Sequence, residues 1–260
     1  MSYEKILYEV TDAVAVITLN DPATLNAMSQ KMGAELLDAL KRGEREARAI
    51  LLCGAGRGFC SGANLADNNM DPSDPHRDLG TALDTLFHPI VYQICRMEIP
   101  VVSAVRGPAA GIGCSFALAG DIIIASDTAY FLQAFRNIGL SPDGGASYLL
   151  SRAVGRVRAM EMMLLGTKIP ADEALDWGMI TRLVADDALD AAAMKMATEL
   201  AQGPHALGII KRVAWGALDA TFETALSNER IAQRAAGRSD DFVEGVTAFL
   251  QKRPAAFKGK

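Results

Sequence analysis

Short β-branched runs alternate with helix-length segments between residues 49 and 132, and this alternation constrains the fold more than any other feature. The runs are AILLC (49–53), VVSAV (101–105), DIIIAS (121–126) and YFL (130–132). Runs that are apolar on both faces need cover on both faces, so they predict a mostly parallel sheet joined by crossover helices. Upstream, ILYEVTDAVAVITLN predicts two strands around a turn at residues 11–12. Ser29 can cap a helix with an apolar stripe of Met32, Leu36, Leu37 and Leu40. A further helix is expected over 79–96, with Pro89 kinking it or marking its true start, and another begins near Cys114.

After Gly144 the pattern turns helical, over 145–153, 156–165, 186–201, 204–218, 221–236 and 239–252, with one strand-like interruption at 180–184. Ser239 is the expected cap of the last long helix, whose stripe is Phe242, Val246, Phe249 and Leu250. The polar stretch 66–78 is expected to form a surface loop or lid. With 260 residues, half of them hydrophobic, the chain can bury a full core as one large domain or a domain with an appendage.

A net charge of −5 without a Lys/Arg block gives no electrostatic footprint for nucleic acid. Cys53, Cys60, Cys95 and Cys114 form no C-x-x-C pair, as suits free thiols in a reducing cytoplasm. His76, His88 and His205 lack metal-ligand spacing, so no metal is expected. The N-terminus lacks the form of a signal peptide, and no apolar run is long enough to span a membrane. The expectation is a soluble cytoplasmic protein.

Two glycine-rich loops follow buried strands. GAGRGF and GIGCSF begin like dinucleotide fingerprints, but Phe59 and Phe116 stand where the third glycine belongs. Ser115 resembles a nucleophile elbow, with Asp143 and His205 downstream, yet Ala117 closes the motif and Ser115 is expected to face the core. A better joint account is that each loop offers one backbone N–H, and the pair forms an oxyanion hole for a thioester carbonyl. In NIGLSPDGGASYLL, Asp143 is the one charge of a glycine-rich turn. It is either a turn former or a working acid.

The stretches FCSGANL, VVSAVRGPAAGIGCSFALAGDIIIAS, IGLSPDGGASYLL and ALDWGMITRLV, with NAM near the start and FLQKRPAAF near the end, resemble the enoyl-CoA hydratase/isomerase (crotonase) family. The resemblance implies an α/β fold, a spiral of strand–strand–helix turns forming a catalytic core over 1–195. A helical region over 196–260 would then assemble homotrimers, often paired into hexamers. It implies acyl-CoA substrates, with coenzyme A arriving as part of the substrate and no permanently bound cofactor. The thioester oxygen would be held by the N–H groups of Ala63 and Ile112. Ala27, Gly62, Asn64 and Leu65 would line the CoA path, and Gly111, Phe135 and His88 the acyl side. Phe257 and Lys260 would reach a neighbour's CoA.

Hydratases of this family carry two glutamates, at positions occupied here by Ser115 and Phe135. The retained acid is Asp143, as in relatives that shift double bonds or rearrange ring-epoxide CoA thioesters. The expected activity is therefore an isomerase with Asp143 as base. The alternatives are a hydratase acting on an unusual acyl group, an aroyl-CoA dehalogenase in which His88 matches a helper histidine, and a CoA-thioester binder without turnover.

Overall fold

The computed structural model describes residues 3–66 and 73–260. Its strands are β1 (Ile6–Thr11), β2 (Val14–Leu19), β3 (Ala49–Gly54), β4 (Val101–Val105), β5 (Pro108–Ala110), β6 (Ile122–Ser126), β7 (Tyr130–Leu132), β8 (Lys168–Pro170) and β9 (Arg182–Val184). The helices are α1 (Gln30–Glu46), α2 (Gly80–Ala82), α3 (His88–Arg96), α4 (Ile112–Ala119), α5 (Ala146–Leu165), α6 (Ala171–Asp176), α7 (Leu189–Ala201), α8 (Ala206–Ala217), α9 (Phe222–Ala236) and α10 (Asp240–Leu250).

Six strands form one sheet in the order β1-β2-β3-β4-β6-β9, parallel throughout except for the β1–β2 hairpin. The hairpin turns through Asp12 and Ala13, both at positive φ, the backbone twist a tight hairpin requires. One face of the sheet buries Ile17, Leu52 and Val105 beneath α1, α3 and α4. The other buries Val16, Leu51, Val102 and Ile124 beneath Leu189, Ala193, Met196 and Ala197 of α7. That helix runs unbroken through residue 195, the expected edge of the core, and stays with the sheet.

A second, smaller sheet of order β5-β7-β8 carries the spiral. Three times the chain leaves the large sheet and crosses to this layer: β3 leads to Cys60, bridged to Ala109, β4 leads to β5, and β6 leads to β7. The expected α/β spiral with helices at its C-terminal end is the observed architecture.

Several elements differ from expectation. The segment 79–96 is one continuous rod of α2, a π-helical turn at Leu83–Phe87, and α3. The His88 N–H bonds to Leu83 O, five residues back, so the extra residue of the π turn is taken up just before Pro89. The α4 helix starts at Ile112, two residues before the expected start. Strands β5 and β8 and helix α6 were not foreseen, because three-residue strands show no periodicity and acquire their identity from the partner β7. The break expected between 153 and 156 is present: Gly155 is non-helical inside α5, at φ 76° and ψ 160°.

Part of the expected 66–78 loop, residues 67–72, lies outside the described residues. The C-terminal tail is pinned to its own chain. Buried Asp241 accepts from the N–H groups of His205, Lys258 and Gly259, and Arg48 donates to Phe257 O.

Candidate active site

Asn26 is fully buried and clamps two loops. Its side-chain amide donates to Ala55 O (3.0 Å) and Gly58 O (2.7 Å), while its Oδ1 accepts from the Asp21 N–H (2.8 Å). This fixes Met28 beside Ala63 in a parallel bridge, with Met28 N–H to Gly62 O at 2.7 Å and Asn64 N–H to Met28 O at 2.9 Å. In such a bridge the central residue of the partner segment points its own N–H away. The Ala63 N–H therefore faces away from Met28.

In that second loop Gly111 takes φ +52° and donates to Leu132 O at 2.8 Å. Its successor Ile112 opens α4, so the Ile112 N–H is one of the donors a helix start leaves unsatisfied. The loops touch because both lack side chains at the contact: a Cβ on Gly111 would lie 3.9 Å from Gly62 Cα, and one on Gly113 only 2.5 Å from Cys60 O. The backbone of the two loops thus runs side by side, with Ala63 in one and Ile112 in the other.

Asp143 precedes α5. Its carbonyl receives the Ser115 Oγ–H (3.1 Å) and the Ala146 N–H (3.0 Å). Its carboxylate is half-buried, and Oδ1 is buried with no hydrogen-bond partner. Burial pushes its pKa up to about 6, with His88 pulling the other way. Asp143, Ala63 and Leu65 line one cavity of about 680 Å³, walled by Leu83, Phe87 and Leu140. Asp74 and Asp78 also border it, but each bonds within its own turn, to the N–H groups of His76 and Gly80.

The structure places the other expected residues as follows. Ile112, Gly111 and Phe135 do not line this cavity: Ile112 is buried, and Phe135, itself buried, closes over Gly111 at 3.7 Å from where a Cβ would stand. Gly62 and Asn64 hold the bridge to Met28, and Ala27 donates its N–H to Thr24 Oγ1. His88 is not in this cavity: it contacts Asp84 at 3.4 Å and lines a separate one. Ser115 is fully buried and spent on the Asp143 backbone, as expected, and its neighbour there is not a histidine. Cys60, Cys95 and Cys114 are buried thiols whose pKa values burial pushes up to about 12.

Sequence reasoning missed Gln30, Arg77, Leu83, Phe87 and Leu140 as cavity walls. Phe87 carried a signal, as an apolar position of the 79–96 segment, whereas Arg77 lay in a polar stretch with none.

Gly144 is what seats the acid. It holds φ +58°, and a Cβ there would lie 2.1 Å from Ile112 Cδ1 and 3.1 Å from Ser115 Cβ. Gly144→Ala is expected to cost about 1–3 kcal/mol in backbone strain and clash, and to displace Asp143 and Ile112 together. The check is kcat/KM alongside circular dichroism: a folded variant with activity down about tenfold or more is the expected result.

Residues 9–260 match the family model described as enoyl-CoA hydratase/isomerase. The chain belongs to this family. Within it, the chain is 45% identical over 260 residues to the 1,2-epoxyphenylacetyl-CoA isomerase of Escherichia coli K12, covering 99% of each. It is 42% identical, over the full length of both chains, to a Rhodobacter capsulatus protein named "Probable enoyl-CoA hydratase". The crystal structure of an enoyl-CoA hydratase from Polaromonas sp. JS666 superimposes with a TM-score of 0.91 at 30% identity, covering 97% of this chain and 99% of that one.

Proposed function

We propose that the protein is an acyl-CoA isomerase in which Asp143 relocates a proton while the N–H groups of Ala63 and Ile112 hold the thioester oxygen. The observation that carries this is the Asp143 carboxylate, with one buried, unpartnered oxygen on the cavity it shares with Ala63. The two positions where hydratases keep glutamates are occupied by Ser115, bonded to backbone, and Phe135, packed on Gly111. Neither can give or take the proton that addition of water requires.

In the forward step the carboxylate removes a proton from one carbon of the acyl chain. The electron pair moves through the conjugated system onto the thioester oxygen, where the two N–H groups receive the charge. The neutral acid then returns the proton to a different carbon, and the electrons flow back. Atoms balance without water or a redox partner. A carboxyl with a pKa near 6 can serve as base and as acid close to neutrality. The identity to an isomerase of a ring-epoxide thioester supports a ring-derived acyl group as one substrate class.

Coenzyme A enters with the substrate, and the mechanism calls on no resident cofactor. The apolar side chains that α9 and α10 leave exposed, among them Ile231, Phe242, Val246 and Phe249, support assembly into trimers or pairs of trimers. Free thiols at all four cysteines support a reducing, cytoplasmic setting. No helix among the described residues is long and apolar enough to cross a membrane.

The test is product analysis with a 3-enoyl-CoA, crotonyl-CoA and 1,2-epoxyphenylacetyl-CoA. Migration of the double bond or rearrangement of the ring thioester, with no water adduct, is the expected outcome. Hydration of crotonyl-CoA as the main activity would favour the hydratase alternative. Binding of all three thioesters without turnover would favour a non-catalytic binder.

A further inference from the structure

The two loops that carry Ala63 and Ile112 are joined by a short ladder. The Phe59 N–H donates to Arg106 O (2.7 Å), the Cys60 N–H to Pro108 O (2.9 Å), and the Ala110 N–H to Cys60 O (2.9 Å). Arg106 O is the outer rung, where the chain has just left β4. The fit there is close: Gly107 holds φ +56°, and a Cβ on it would lie 2.1 Å from Arg57 O.

The side chain of Arg106 runs to a different layer. It is mostly buried, and its Nε donates to Asp186 Oδ1 (3.0 Å) while Nη2 donates to Asp186 O (2.9 Å). Two longer contacts, each 3.5 Å, reach the Asp190 carboxylate in the first turn of α7. The same Asp186 Oδ1 accepts from Thr128 Oγ1 (2.7 Å), which shares a hydrogen bond with Ser126 Oγ at the end of β6 (2.8 Å). One carboxylate thus ties the ends of β4 and β6 to the turn Asp186–Ala188 that leads into α7.

An ion pair this near the surface contributes little to stability. What this one fixes is position. A planar guanidinium that grips a carboxylate and a backbone carbonyl at once leaves residue 106 little freedom to shift. We infer that Arg106 is a positioning residue: its grip on Asp186 holds the outer rung of the ladder and so sets the spacing of the loops that carry the Ala63 and Ile112 N–H groups. The inference rests on the reading of those groups as donors to the thioester oxygen. Preorganised donors act on the charge that develops during reaction more than on bound substrate. Loss of the grip therefore falls on kcat and spares KM.

The experiment measures kcat and KM with a 3-enoyl-CoA, and the absorption red shift of bound cinnamoyl-CoA, in wild type, Arg106→Met, Arg106→Lys and Asp186→Asn. Cinnamoyl-CoA has a ring conjugated to the thioester carbonyl and no proton for the acid to relocate, so its red shift reports how strongly donors polarise the carbonyl oxygen. Arg106→Met is expected to lower kcat by about ten- to a hundredfold with KM within about threefold of wild type, and to shrink the red shift. Asp186→Asn keeps the size of the side chain and should move both readouts in the same direction. Arg106→Lys, a cation without the fork, should recover part of both. Melting followed by circular dichroism identifies the folded variants, and Asp186→Asn carries the test should Arg106→Met not fold.

A kcat and a red shift equal to wild type in the folded variants, whatever their melting temperatures, would overturn the inference and leave the cluster a structural one. So would a rise in KM at unchanged kcat. A wild type that isomerises the 3-enoyl-CoA but gives bound cinnamoyl-CoA no red shift would contradict the donor reading itself, and the inference falls with it.

Discussion

Asp143→Asn is expected to lower kcat/KM for double-bond migration by about 10²–10⁴-fold while leaving acyl-CoA affinity within a few-fold of wild type. Asn keeps the size of the side chain and the backbone contacts to Ser115 and Ala146, so the loss isolates the carboxylate. In the wild type the rate should climb as pH rises through about 6, where the base loses its proton, and level off above it.

Stability runs the other way. The folded-state pKa, about 6, lies above the ordinary aspartate value of 3.8, so the folded protein binds this proton more tightly than the unfolded chain does. The contribution of Asp143 to stability is most favourable below pH 4 and is lost as pH rises through 6. At about 1.4 kcal/mol per pKa unit the penalty is bounded near 3 kcal/mol, and solvent access to a half-buried group reduces it to about 1–2 kcal/mol. Melting temperatures at pH 4 and pH 8 check this: the Asn variant should match wild type at the lower pH and exceed it at the higher. A working acid, held unpaired at the expense of stability, would show both effects; a turn-forming Asp would show neither.

The second large effect is expected at Lys211→Met. Lys211 is 6% exposed, and its ammonium donates to Ile94 O (2.7 Å) and Ile99 O (3.2 Å) and pairs with Asp121 at 2.8 Å. The same Asp121 accepts from the Val101 N–H and from Trp215 Nε1. This one cluster joins α8 to the end of α3 and to the start of β4. Methionine fills the stem but leaves a carboxylate and two carbonyls without their cation, which costs about 3–5 kcal/mol. That is a large share of the stability of an ordinary domain. Urea denaturation measures it, and Lys211→Met with Asp121→Asn should recover part of the loss. A change under about 1 kcal/mol would mean the pair does not anchor the helical region.

The parts of the fold legible in the sequence were those encoded locally. Long β-branched runs announced β2, β3, β4 and β6, and Ser29 and Ser239 marked the starts of α1 and α10, where each hydroxyl accepts an N–H three residues on. Strands β5 and β8 were not legible, because each is three residues long and is defined by its pairing to β7. Pro89 signalled an irregularity, but where the helix absorbs it, in the turn Leu83–Phe87, depends on packing such as Leu86 against Gly33.

At the site the same division holds. The turn around Asp143 was legible from Pro142, Gly144 and Gly145, yet whether its carboxylate is solvated or buried depends on the fit of Gly144 against Ile112 and Ser115, twenty-nine or more residues away in sequence. The proposal of Ala63 and Ile112 as donors rests on family resemblance, since a backbone donor leaves no mark in side-chain chemistry. The separate cavity that His88 lines draws on α3, α5 and α8, and no single stretch of sequence announces it.

The most direct test of the central claim is turnover of a 3-enoyl-CoA in D₂O by wild type and Asp143→Asn, followed by mass spectrometry. Wild type is expected to return the 2-enoyl isomer with deuterium on carbon and no added water, and the variant to return the starting thioester unlabelled. Isomerisation or hydration that proceeds unchanged in the variant would contradict the assignment of Asp143 as the proton carrier.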